Sequence, residues 1–323
     1  MTDDRAGEGR LFATHWGTYR AEVAAGRVRA VCPWEGDPDP AEYGEGLADM
    51  VEHPLRIARP MVRRGFLDRG PDSDRTRRGA EPFVALPWDE ALGIAAGELE
   101  RVRAEHGNEA IFGGSYGWAS AGRFHHAQSQ IHRFLNCIGG YTASIDTYSY
   151  AAVSALTPHV VGHFKGVVLN QATSWDAIAE HAELVVMIGG LAVKNAQVNS
   201  GGVGRHTTRG WLREAKARGC AFVNVSPIRD DAVPEIDAEW LAIRPGTDTA
   251  LMLAIAHVLV TEGLHDEAFL ARCTTGFERF RPYLTGEADG APKTPEWAEA
   301  ITGIPAGTIA TLARRMAASR TMI

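Results

Sequence analysis

The chain has 323 residues, of which 45% are hydrophobic and 23% charged, so it is long enough to bury the cores of two domains. Its formal net charge of −7 argues against a nucleic-acid partner, which calls for a basic face, and no apolar run reaches the length of a membrane span. The start, Met1-Thr2-Asp3-Asp4-Arg5, is polar and acidic rather than a secretion signal, which sets the expectation of a cytoplasmic protein with no membrane partner. The four cysteines, Cys32, Cys137, Cys220 and Cys273, are widely spaced with no Cys-x-x-Cys, which disfavours a disulfide framework, a structural zinc site and a locally encoded iron–sulfur cluster.

In chain order, residues 14–32 alternate as a hairpin, with Tyr19, Ala21 and Val23 on one face, a turn at Ala24-Ala25-Gly26, and Val28 and Val31 on the return strand. His15-Trp16-Gly17 opens it, with Trp16 read as an anchor for the small sheet. From Pro33 to Ala80, Pro54, Pro60 and Pro71 forbid long regular elements, and Arg56, Arg59, Arg63 and Arg64 are read as bridging or solvated. A helix is expected from Asp89, as N-cap, through Arg103, with apolar residues Ala91, Leu92, Ala95, Leu99 and Val102 and a stop at Gly107.

Residues 109–118 read as a short buried strand ending in a glycine-rich turn, Gly113-Gly114-Ser115-Tyr116-Gly117-Trp118, before a helix from about Arg123 to Asn136. Tyr116 and Trp118 are open to two readings: core aromatics, or aromatics whose phenol and indole N–H reach an oxygen. His125, His126 and His132 lack the spacing of a metal site. Ser149 stands in a loop that enters an alanine-rich helix, where a serine ordinarily serves as a cap.

The second half reads as parallel βαβ units: strand Leu184 to Ile188, helix Thr207 to Arg218 ended by Gly219, strand Ala221 to Val225, strand Trp240 to Ile243, and helix Thr249 to Thr261. The carboxyl ends of strands in one parallel sheet converge on one crevice. That brings together Gly189-Gly190 with Lys194 and Asn195, then Val225-Ser226, then Gly246-Thr247-Asp248. Lysine balances diphosphate charge, serine and main-chain amides bind phosphate or ribose, and aspartate accepts from a guanine edge or caps its helix. Gly202-Val203-Gly204-Arg205-His206-Thr207 fails the dinucleotide glycine fingerprint, which disfavours an NAD(P)-dependent dehydrogenase. Residues 265–323 are helical until Arg320 to Ile323, which begin a new strand.

Several short motifs stand in one order: His15-Trp16-Gly17, Ser115-Tyr116-Gly117-Trp118, Thr147-Tyr148-Ser149-Tyr150, Pro158-His159-Val160-Val161-Gly162, Gln171-Ala172-Thr173-Ser174-Trp175 and Pro245-Gly246-Thr247-Asp248. In that order they resemble the dimethyl sulfoxide reductase family of molybdenum enzymes, in the branch of biotin sulfoxide and trimethylamine N-oxide reductases. The run from His265 to Arg272 adds to the likeness. The resemblance implies an α/β protein with a β-rich cap (residues 1–60) and an α/β molybdenum-site domain (61–175). A Rossmann-like guanine-dinucleotide domain (176–323) would follow, incomplete here, so that the chain is expected to be an N-terminal fragment and inactive alone.

The resemblance further implies Mo-bis(molybdopterin guanine dinucleotide) without an iron–sulfur cluster. Ser149 would be the protein ligand to molybdenum, a hard oxygen donor to an oxophilic metal. Trp118 would contact the cofactor and donate to the transferred oxygen, and Tyr116 would hold the substrate. Lys194, Asn195, Val225, Ser226, Gly246, Thr247 and Asp248 would hold the nucleotide arm. The expected partners are a small S-oxide or N-oxide and an unidentified electron donor; the rival reading is a noncatalytic fragment that binds the molybdopterin nucleotide. Tyr150-Ala151 replaces the Thr-Gly usual in that branch, which leaves the particular oxide open.

Overall fold

The computed structural model describes residues 9–115, 117, 120, 126–147, 149–162 and 172–323. The chain divides into two compact units, residues 1–167 with 198–205, and residues 168–197 with 206–323.

The first unit opens on an antiparallel sheet of β1 (Arg10–Thr14), β2 (Gly17–Ala24) and β3 (Arg27–Pro33), in that order. The expected hairpin is β2 and β3. Ala25 (φ 50°) and Gly26 (φ 74°) both adopt left-handed backbone, the geometry whose twist matches that of the strands it joins. β1 was not foreseen, because Arg10 to Thr14 buries only one side of a short edge strand. The sheet is closed over Tyr19, which is fully buried and donates its hydroxyl to the Ala41 carbonyl at 2.7 Å. A Cβ on Gly44 would lie 1.8 Å from that ring, so only glycine fits there.

Short elements then wrap the unit, as its prolines require: α1 (Leu47–Glu52), β4 (Met61–Arg63) running into α2 (Arg64–Arg69), and β5 (Phe83–Ala85), which pairs antiparallel with β4. Arg63 bridges to Glu81, whose other oxygen accepts the Gly65 amide at 2.7 Å, in line with the bridging role read for these arginines. Helix α3 (Trp88–His106) starts one residue before Asp89; the cap is Pro87, and Asp89 and Glu90 instead place negative charge at the positive end of the helix dipole. Gly107 (φ 76°) ends it, as expected.

A small βαβ unit follows, β6 (Phe112–Gly113), α4 (Ala127–Cys137) and β7 (Thr142–Ala143), with β6 and β7 parallel. Its helix packs so closely on β6 that a Cβ on Gly113 would lie 2.1 Å from Leu135. His126 caps α4 through its ring nitrogen, and His132 stacks on Tyr141, 5.4 Å between centroids, so both have structural work. α5 (Ala151–Val160) is the last helix of this unit among the described residues.

The second unit is built on a four-stranded parallel sheet. Helix α6 (Trp175–His181) leads to β8 (Leu184–Ile188), α7 (Val193–Ala196), α8 (Thr208–Ala217), β9 (Ala221–Val225), β10 (Glu239–Leu241) and α9 (Asp248–Thr261). Helices α10 (Glu267–Cys273), α11 (Phe277–Thr285), α12 (Pro295–Thr302) and α13 (Ala306–Ala318) precede β11 (Thr321–Met322). The order across the sheet is β10-β9-β8-β11, every pair parallel.

Alternation explains why β8 and, Asn224 apart, β9 are apolar. Leu184, Val186, Val223 and Val225 face a core shared with α9, α12 and α13, whereas Val185, Met187 and Phe222 face a core shared with α6 and α8. With both faces covered, every position of a strand is interior. Leu212, Leu251, Ile309 and Val223 are fully buried, and burying each such side chain contributes roughly 1.5–3 kcal/mol.

Candidate functional site

In the second unit the three expected loops leave the carboxyl edge of neighbouring strands, and the first two are bonded to each other. After β8, Gly189 (φ 92°) and Gly190 (φ 77°) turn the chain into α7, where Lys194 and Asn195 are exposed. After β9, Ser226 opens a loop that closes through a 3-10 turn at residues 229–231. After β10, Gly246 (φ 76°) precedes Thr247, which is the N-cap of α9, so Asp248 is the first helical residue rather than the cap.

The loop after β8 joins the loop after β9 through Gly189 N–H to the Val225 carbonyl at 2.9 Å and Leu191 N–H to the Asp231 carbonyl at 2.6 Å. The loop after β9 joins β10 through the Trp240 indole N–H, which donates to the Ser226 carbonyl at 2.8 Å. Arg244 fixes the third loop by donating to the Ala300 and Ile301 carbonyls at the end of α12, at 2.7 and 3.1 Å.

The predicted residues contribute in different ways. Lys194 and Asp248 ion-pair with none of the described residues and sit at loop or helix starts, available to a ligand. Val225 is fully buried and offers only its main chain. Ser226 is 1% exposed; its hydroxyl donates to the Asp231 carboxylate at 2.6 Å and accepts from Ile228 N–H at 3.1 Å, so it is spent inside the protein. The Thr247 hydroxyl donates to the Arg244 carbonyl at 2.7 Å. Asp231, Asn224, Trp240 and Arg244 were not singled out from the sequence; nothing in their spacing signals that a short turn folds Asp231 back onto Ser226.

Asn224 is 1% exposed, donates to the Arg229 carbonyl at 3.0 Å, and keeps its Oδ1 buried with no hydrogen-bond partner among the described residues. That oxygen lies 3.3 Å from where a Cβ on Gly190 would stand. The glycine turn, the exposed Lys194 and a buried acceptor that calls for an N–H or O–H donor thus stand at one sheet edge.

The first unit places the other candidate residues along the βαβ edge. β6 and β7 run parallel, so Gly114–Ser115 and the residues from Ser144 to Thr147 leave the same edge, with the Ser144 hydroxyl 3.9 Å from a Cβ built on Gly114. Gln128 on α4 donates to the Ser115 carbonyl at 3.1 Å. Ser149 is exposed in the turn that enters α5, after Asp146 (φ 65°) has accepted the Thr147 N–H at 2.9 Å. The N-cap of α5 is Tyr150, and the Ala151 N–H donates to the Thr147 carbonyl at 3.2 Å. The Thr147 hydroxyl is buried without a partner among the described residues. Tyr116 and Trp118 lie outside the described residues, as does His125. Among the described residues no group of three or more His, Cys, Asp or Glu side chains is disposed to hold a metal. A cavity of about 480 Å³ on the N-terminal sheet is lined by Phe12, Val28, Val31 and Leu47, and none of the candidate residues lines it.

Two family profiles match the chain: the one described as molybdopterin oxidoreductase over residues 56–317, and the molybdopterin oxidoreductase N-terminal domain over residues 13–51. The biotin sulfoxide reductase of Cereibacter sphaeroides is 45% identical over 90% of this chain and 39% of its own length. The dimethyl sulfoxide/trimethylamine N-oxide reductase of Rhodobacter capsulatus is 42% identical over 97% of this chain and 38% of its own. The trimethylamine-N-oxide reductase of Haemophilus influenzae is 37% identical over the same shares. Among solved structures, the acetylene hydratase of Pelobacter acetylenicus superposes with a TM-score of 0.61 at 20% identity, covering 94% of this chain and 38% of its own, which is a likeness of fold.

The chain belongs to the molybdopterin oxidoreductase family, in its dimethyl sulfoxide reductase group. The family implies a molybdenum–pterin cofactor. The chain spans about 38% of the length of the curated relatives it matches.

Proposed function

We propose that this chain is the part of a molybdenum enzyme that holds a guanine-dinucleotide arm and a protein ligand to the metal, and that the enzyme reduces an S-oxide or N-oxide. The observation that carries the reading is identity of 37–45% over 90% or more of the chain to relatives named as reductases of such oxides. In the reaction the oxide loses its oxygen, two electrons come from a donor protein or small molecule, and two protons complete the water released with the sulfide or amine.

The cradle in the second unit fits the nucleotide arm of Mo-bis(molybdopterin guanine dinucleotide). The glycine turn at 189–190 lets main chain approach a diphosphate, since a Cβ at Gly189 would meet nothing within 4 Å. Lys194 supplies charge, Asn195 and the main chain around Ser226 supply polar contacts to phosphate or ribose, and Asp248 accepts the paired N–H groups of a guanine edge. Gly246 and Thr247 set the turn that presents it. The Rossmann-like character of this unit, the division near residues 60 and 175, and the lack of an iron–sulfur cluster of its own belong to the same proposal.

In the first unit, Ser149 at the head of α5 is our candidate ligand. The positive end of the helix dipole favours its alkoxide form, which is the form that binds an oxophilic metal. When bound, the molybdenum–pterin supplies the two-electron exchange. Trp118 is assigned as a donor toward the departing oxygen and as a cofactor contact, and Tyr116 as the group that orients the substrate oxygen; donors aimed in advance lower a barrier without reorganisation.

The test is Ser149→Ala in the native protein. The expected outcome is loss of most oxide reduction together with altered molybdenum spectra. Full activity with unchanged spectra would contradict the assignment.

A further inference from the structure

The Ser226 hydroxyl cannot serve the ligand as first expected, because both its donor and one acceptor site are committed inside the loop. Its partner is the more informative residue. Asp231 makes contact with each of the two loops that leave β8 and β9. Its carboxylate takes the Ser226 hydroxyl at 2.6 Å, its main-chain carbonyl takes the Leu191 N–H at 2.6 Å, and its own N–H donates to the Ile228 carbonyl at 3.3 Å. Its Cβ also fills the space in front of Gly190: a Cβ added there would stand 2.5 Å from it. Ser226 in turn carries the connection onward, since its carbonyl accepts the Trp240 indole N–H of the third strand.

We infer that Asp231 is a positioning residue: with Ser226 it forms an internal strut that fixes the glycine turn before Lys194 and the loop after β9 in one register, so that their main chain is preset for a guanine nucleotide. The inference rests on the nucleotide reading above and adds to it a residue that touches protein rather than ligand. An exposed carboxylate beside a diphosphate would repel it. The hydroxyl of Ser226 turns this carboxylate to an internal use instead. Preset loops raise affinity because the ordering cost is met before binding.

The acceptor, not the charge, is what the strut needs. Asn at 231 offers an equivalent oxygen to Ser226, whereas Ala leaves the nearly buried hydroxyl without its acceptor. The experiment uses the native protein made as apoprotein in a host unable to synthesise molybdopterin, with GDP as the probe in calorimetry and amide hydrogen exchange read at Leu191 and Ile228. Asp231→Ala and Ser226→Ala should each weaken GDP by about tenfold or more, the double variant should be no weaker than either, and exchange at both amides should accelerate. Asp231→Asn should keep GDP affinity within about twofold of the parent.

Unchanged affinity in Asp231→Ala, or in Ser226→Ala should the former fail to fold, would overturn the proposal. So would an Asn variant as weak as the Ala variant or markedly tighter than the parent, since either assigns the effect to charge on the ligand. If the parent apoprotein binds no GDP, the nucleotide reading itself fails and takes this inference with it; that arm is separate from the variants, so the two failures are told apart.

Discussion

Tyr19 shows how one side chain can organise a sheet. Its ring fills the space that Gly44 leaves, its hydroxyl pairs a buried carbonyl at Ala41, and burial pushes its pKa up to about 12. Tyr19→Phe keeps the ring and strands the carbonyl, so it should cost about 1–3 kcal/mol in urea unfolding; an unchanged midpoint would show that water satisfies Ala41. The pH dependence has a definite sign. A raised pKa means that the folded state holds this proton more tightly, so the contribution is complete below about pH 10, the ordinary tyrosine value, and is lost as pH rises toward about 12. The phenolate absorbance of Tyr19, isolated by difference against Tyr19→Phe, should appear only at the upper end of that window.

At the same scale the sequence was a good guide to where residues stand in the fold and a poor one to how their side chains are used. Lys194 and Asp248 stand where the loop pattern put them, at the carboxyl edge of the parallel sheet. Ser226 stands there too, yet its hydroxyl turns inward, because a 3-10 turn brings back an aspartate five residues further on. A side chain's orientation depends on such a partner, and residue type alone does not report it.

Among the elements, β8 and β9 fall on the residues that the apolar runs marked, since strands covered on both faces are apolar at every position but Asn224. Helix starts were less legible: Pro87 and Thr247 hold the N-cap positions, without a side-chain capping bond, where Asp89 was read as the cap and Asp248 as a cap or a guanine acceptor, because an acidic residue stabilises a first turn nearly as well as it caps one. β1, β4 and β5 were missed, being short edge ladders whose pairing is decided by the chain around them.

The packing of α9 carries the clearest consequence at this scale. Leu251 is fully buried between the sheet and helices α12 and α13, so Leu251→Ala should destabilise the second unit by about 2–5 kcal/mol through lost burial and a residual cavity. Unfolding followed by the fluorescence of Trp240 and Trp297 would show it, and a cost below about 1 kcal/mol would mean that the core collapses around the gap.

For the whole molecule, fold and reaction have to be argued separately. The chain shares its fold with an acetylene hydratase at 20% identity, and its nearer relatives carry the names of oxide reductases, so the architecture alone does not choose the chemistry. No helix among the described residues is long and apolar enough to cross a membrane. What the geometry presents is a set of loops at the carboxyl edge of a parallel sheet in one unit and a serine at the head of a helix in the other.

The cofactor is therefore the claim on which the account depends, and the most direct measurement is the ratio of guanine released by acid hydrolysis to molybdenum measured by plasma mass spectrometry in the purified native protein. The account predicts two guanines for each molybdenum, as the bis(molybdopterin guanine dinucleotide) form requires. Folded native protein, purified from cells supplied with molybdate, that carries neither guanine nor molybdenum would contradict it.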